Sequence, residues 1–122
     1  MKKKPKKQPK QRLERLNISS VSILGVTYKV RFKDVLIDTD TNEEVSGLCH
    51  RSQRLIEISL RENPTLAMQA SSLIHEIVHA ILYVSGHGEF FEEKQEEALT
   101  LALENGIYNV LNKLVRLVAD KD

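Results

Sequence analysis

The chain has 122 residues, room for one domain with one modest core, and its 41% hydrophobic and 29% charged residues are those of an ordinary soluble globular protein. A net charge of +1 hides an asymmetry: residues 1–15 hold eight basic side chains and one acidic, a net of +7, while the rest hold ten basic and 16 acidic, a net of −6. A single cysteine, Cys49, excludes an intrachain disulfide framework, and no apolar run approaches the roughly 20 residues that cross a bilayer. The lysine-rich start leads into no apolar stretch of a signal peptide, so the expectation is a cytoplasmic protein with no membrane partner.

Residues 1–12, MKKKPKKQPKQR, repel one another, carry two prolines and offer nothing apolar to bury. Residues 1–15 are therefore expected to be a disordered basic arm, and residues 16–122 the folded domain. The arm suits a solubilising role. A weak nucleic-acid contact is the sharper reading, although the arm lacks aromatic residues on which bases would stack.

From Val21 the pattern has period two. Val26, Tyr28, Val30 and Phe32 alternate with Thr27, Lys29 and Arg31, as in a half-buried strand, and Val21–Leu24 before Gly25 can pair with it. Asp38–Glu44 is polar and reads as a loop. Val45–Cys49, a turn around His50–Gln53, and Arg54–Leu60 then read as a hairpin, giving about three strands. Cys49 and His50 are metal-capable types, but neither has a partner at useful spacing.

The period next becomes helical. Asn63 is a candidate N-cap, followed by Pro64. Leu66, Ala70, Leu73, Ile74, Ile77, Ile81 and Val84 fall at spacings of three and four, and Gly86 ends the helix. A second helix is expected from about Glu92 to Val118, with Leu99, Leu103, Ile107, Val110, Leu114 and Leu117 as its buried stripe. The fold class is α+β: a small, mostly antiparallel three-stranded sheet, then one helix bearing the chemistry and a second long helix.

The first helix contains His75-Glu76-Ile77-Val78-His79. Residues four apart share a helix face, so two imidazoles so placed can reach one ion at the zinc–nitrogen distance of about 2.0–2.1 Å. Glu76, beside the first ligand, can take a proton from a water on the metal. Two ligands and one base on one turn are the physical content of HExxH. A catalytic zinc needs a third ligand. A histidine six positions after His79 is excluded by Ser85, His87 lies just past the helix end, and an acidic run (Glu89, Glu92, Glu93, Glu96, Glu97) opens the second helix. The short loop turns that helix back along the first, which favours Glu93, Glu96 or Glu97, and helical phase does not separate the last two.

HEIVHAI followed by EEALTLALENGIYNVL resembles the small zincin-type metallopeptidases of phages and prophages, gluzincin-like and distantly similar to ImmA/IrrE-type peptidases. The resemblance spans about residues 45–115. It implies a short sheet with the HExxH helix behind its edge strand, zinc on His75 and His79, Glu76 as base, and the acidic ligand at Glu97. The expected activity is hydrolysis of a peptide bond in a peptide or protein substrate, with Arg54–Leu60 receiving the extended substrate by strand addition. The alternative is a zinc-binding but non-catalytic regulatory or structural module, tethered to nucleic acid by the basic arm. No downstream histidine or arginine presents itself to stabilise an oxyanion, which leaves Tyr83 and Tyr108 as candidates.

Overall fold

The computed structural model describes residues 14–119, with side chains described through Lys113. Residues 1–13, and with them most of the expected arm, lie outside it. Gln69, fully buried on the first helix, donates to the Glu14 carbonyl and accepts from the Leu16 amide, so the chain is tied down from Glu14 onward.

Strands β1 (Ser20–Ile23) and β2 (Val26–Lys33) form an antiparallel hairpin. Its two turn residues, Leu24 (φ 50°) and Gly25 (φ 82°), both have positive φ, the geometry that matches the twist of a tight hairpin. Two short strands, β3 (Ile37–Asp38) and β4 (Glu43–Glu44), make a separate small hairpin across the segment Asp38–Glu44 that reads as loop. Strands β5 (Gly47–His50) and β6 (Leu55–Ser59) form the antiparallel hairpin expected from the sequence.

The main sheet has the order β1-β2-β6-β5. It has four strands rather than three, and its central pair, β2 with β6, is parallel (Lys29 opposite Leu55, Lys33 opposite Ser59). Period-two patterning shows which residues share a face but not which strand lies beside which, and β6 inserts next to β2 rather than at an edge. Arg54–Leu60 therefore has no open side to receive a peptide. The edge next to the helices belongs to β5.

Helix α1 (Leu66–Val84) begins at Thr65, whose side chain accepts from the Met68 amide. Thr65, not Asn63, is the N-cap. Asn63 is instead buried, donating to the Ser46 and Ser59 carbonyls and accepting from Ser72 Oγ. Gly86, at φ 77°, reverses the chain after the Ser85 cap as expected. A 3-10 turn at His87–Phe90 leads into helix α2 (Glu93–Ala119).

Ile23, Tyr28, Val30, Ile56 and Ile58 from the sheet pack against Leu73 and Ala80 of α1. α2 lies on the far side of α1, so α1 is enclosed by both. For that reason its buried residues include Gln69, Glu76 and His79, while Leu66 and Ile81 of the expected stripe are exposed. The expected stripe of α2 departs further. Leu103, Ile107 and Val110 are 39%, 38% and 59% exposed, while Glu96 and Thr100 are buried. The face of α2 turned to α1 is its polar one. Among the described residues no helix is long and apolar enough to cross a membrane.

Candidate metal centre

The tight reversal at Gly86 brings the first turns of α2 beside the last turns of α1. Gly88 assists the approach, since a Cβ there would stand 3.1 Å from a Glu96 carboxylate oxygen. The polar faces of the two helices meet, and three carboxylates (Glu96, Glu97 and Glu104) and two imidazoles gather in the seam.

His75, His79 and Glu97 offer one ligand atom each within 4.8 Å of one another. Glu97 Oε1 lies 2.7 Å from His79 Nε2, and its Oε2 lies 3.5 Å from His75 Nε2. The two Nε2 atoms are 3.3 Å apart. Two nitrogens bound tetrahedrally at about 2.0–2.1 Å from one zinc ion sit about 3.3 Å apart, so the spacing fits that ion.

The opposite ring nitrogens are also engaged. His75 Nδ1 donates to Glu104 Oε2 at 2.7 Å, and Ser71 Oγ donates to the other oxygen of Glu104 at 2.6 Å. His79 Nδ1 donates to Glu96 Oε2 at 2.9 Å, which also accepts from Arg51 Nη2 at 3.0 Å. An ionised carboxylate only accepts, so Glu104 and Glu96 favour the tautomers with the ring proton on Nδ1, which would leave each Nε2 lone pair to a metal ion. In those tautomers the two Nε2 lone pairs and the Glu97 carboxylate would face one point, where a metal ion could be held. Carboxylates behind ligating histidines also fix ring orientation and raise ligand basicity.

Glu76 is on the same helix but turns toward the sheet, 7% exposed. Burial holds its carboxyl above the usual carboxylate range, opposed by His75 and His79 and reinforced by Glu97 and Glu104. Strand β5 passes close over it: a Cβ on Gly47 would lie 3.1 Å from Glu76 Cγ and Oε2. Glycine at 47 lets the edge strand and the carboxylate share that space.

These groups line an open cleft of about 870 Å³ between β5 and the two helices. Of the sequence candidates, Glu93 lines the cleft but does not join the His75–His79–Glu97 group, and Glu96 contacts the wrong side of His79 for a shared ligand site. His87 is exposed, bonded to Ser85 Oγ, and takes no part in the convergence. Cys49 lines the cleft, and burial, followed by the Glu76 charge, pushes its thiol up to about 12, so it stays protonated at neutral pH. His50 stands outside this convergence, its Nε2 bonded to Glu57 Oε1 at 2.5 Å.

Sequence reasoning missed Glu104 and Arg51. Glu104 carried a usable signal, since seven residues after Glu97 returns to the same helix face two turns further along. Arg51 carried none, being a turn residue upstream of the motif. It is the one cation lining the cleft among the described residues, and its guanidinium lies 5.7 Å from the centroid of the Tyr83 ring. Comparisons with protein-family models, curated proteins and solved structures return no match.

Proposed function

We propose that this chain is a zinc-dependent hydrolase that cleaves peptide bonds. The observation that carries the reading is the convergence of His75 Nε2, His79 Nε2 and Glu97 with both Nδ1 atoms held from behind by carboxylates. Zinc bound there would act as a Lewis acid on the scissile carbonyl and lower the pKa of a water. Glu76 accepts the proton of the attacking water and returns it to the departing nitrogen. Strand β5 has no neighbour on its outer side among the described residues and lines the cleft, so an extended peptide can pair along it. The proximity of β5 to Glu76 favours this reading over a metal module without chemistry, because a structural site needs no buried carboxylate facing an open strand edge.

Purified protein is expected to hold about one zinc per chain and to digest an unstructured substrate such as casein. Treatment with 1,10-phenanthroline should stop digestion, and added zinc should restore it. Hydrolysis that continues in the chelator would remove the metal from the reaction.

The ligand assignment has its own test, made by competition against a chromophoric chelator. Glu97→Ala should weaken zinc binding at least tenfold, since losing a ligand should cost no less than the 10–100-fold typical of losing a partner behind one. Glutamine separates the two roles. Glu96→Gln keeps a carbonyl oxygen for His79 Nδ1 and should bind zinc nearly as well as the parent. Glu97→Gln removes the anionic ligand and should not. The reverse order would move the ligand to Glu96.

A further inference from the structure

Helix α1 packs on one face of the main sheet; on the other face β6 buries Glu57 and Ser59, while β2 is open to solvent. Tyr28, Val30, Ile56 and Ile58 pack toward α1, so the alternate residues of the same strands point outward, where neither helix lies. On β2 those residues are Thr27, Lys29, Arg31 and Lys33, all exposed. Successive cations on one strand face stand about 6.8 Å apart.

What faces them is not acidic. The four strands of the main sheet contain a single carboxylate, Glu57, which lies directly opposite Arg31 on the neighbouring strand. Glu57 is already spent: Lys33 Nζ lies 2.8 Å from one of its oxygens, His50 Nε2 lies 2.5 Å from the other, and the residue is buried. Burial alone would raise its pKa, but the hydrogen bonds and charges of Lys33 and His50 outweigh that and leave it lowered, so it stays ionised within the cluster. Lys29 and Arg31 form no ion pair among the described residues.

Charge is thus sorted by face. The cleft is lined by Asp38, Glu76, Glu93, Glu96, Glu97 and Glu104 with Arg51 as the lone cation, whereas the open sheet face carries exposed cations and one neutralised acid. The segment entering β1 runs along the same strand, with the Ser19 carbonyl accepting from the Val30 amide, and Arg15 just before it is exposed. Preceding that, residues 1–13 contain seven basic side chains and no acidic one.

We propose that the open face of the sheet, through Lys29, Arg31 and Lys33, is a binding surface for the phosphate backbone of a nucleic-acid duplex. The surface is positive where its partner is negative, and it lies on the opposite side of the sheet from the cleft, so both can be occupied at once. It carries no aromatic side chain, because Tyr28 and Phe32 belong to the other face. With no ring for bases to stack on and few side chains long enough to reach base edges, the contact is to the backbone, independent of sequence and not selective for single strands. This reading stands apart from the metal centre and does not require it.

The test is fluorescence anisotropy with labelled 20-base-pair duplexes of two unrelated sequences, titrated with the full chain at several salt concentrations. Both duplexes should bind alike, with affinity falling as salt rises. The double variant Lys29→Ala, Arg31→Ala should reduce the slope of log affinity against log salt by about 1.8, from two lost phosphate contacts at about 0.9 each. Its zinc content should match the parent, which separates this surface from the metal site and certifies the fold. Double reversal to glutamate should weaken binding further. An unchanged slope in the alanine variant would assign binding to residues 1–13 alone and overturn the proposal. Preference for a single strand of the same length, or binding to phosphatidylserine vesicles without binding to duplex, would overturn it as well.

Discussion

Zinc in the His79→Ala variant should fall from about one per chain to background after dialysis, measured by elemental analysis of the purified protein. His79 is the better buried of the two imidazoles, 8% exposed, and carboxylates meet both its nitrogens closely, Glu97 at 2.7 Å from Nε2 and Glu96 at 2.9 Å from Nδ1. Alanine removes a neutral donor and leaves both carboxylates facing a hole. Losing a partner behind a ligand already weakens metal binding 10–100-fold, and losing the ligand itself should exceed that. No neighbour can substitute: His87 is tied to Ser85, and Cys49 keeps its proton. His75→Ala should behave likewise. Zinc retained at parent level in both variants would end the metal proposal.

Glu76→Gln should do the opposite, keeping zinc while lowering peptide hydrolysis by about 10²–10⁴-fold, the usual contribution of a positioned general base. Glutamine preserves the shape wedged under Gly47, so the close packing of β5 on α1 is undisturbed. It cannot accept a proton. Comparing initial rates at equal zinc occupancy isolates the base from the metal. A Glu76→Gln protein that is both loaded and fully active would leave the residue without a chemical role.

Where the sequence succeeded, the signal was local. The HExxH turn, the Gly86 stop, the second helix and the β5–β6 hairpin each follow from contiguous residues, and the structure has all four. Where it failed, the deciding partner lay elsewhere in the chain. Nothing near Val26–Lys33 announces that β6 will lie parallel beside it, and nothing near Asn63 announces that Ser46, Ser59 and Ser72 will engage its side chain before it can cap a helix. The α2 stripe failed for a different reason. A helix was assumed to turn its apolar side to its neighbour, but this seam is built from the residues that surround the candidate metal site, so Glu96, Glu97, Thr100 and Glu104 face inward and Leu103, Ile107 and Val110 do not. Helical phase alone left Glu96 and Glu97 unseparated, and the structure sets Glu97 beside both Nε2 atoms and Glu96 behind His79 Nδ1.

The parallel pairing of β2 with β6 also bears on the order in which the molecule can assemble. The hairpins β1–β2 and β5–β6 each close through a tight turn, and hairpins of this kind form in about 1–10 μs. α1 and α2 meet across another short reversal, and all the candidate ligands lie on that helical pair. Joining the two hairpins is different, because Lys29 finds Leu55 only after the whole intervening segment, β3 and β4 included, has been looped out. Loop closure of that kind is paid before its contacts repay it, and non-local pairing slows folding accordingly. The helical pair can thus gather its histidines and carboxylates early, while the strand that roofs Glu76 is set in place only when the two halves of the sheet have found each other.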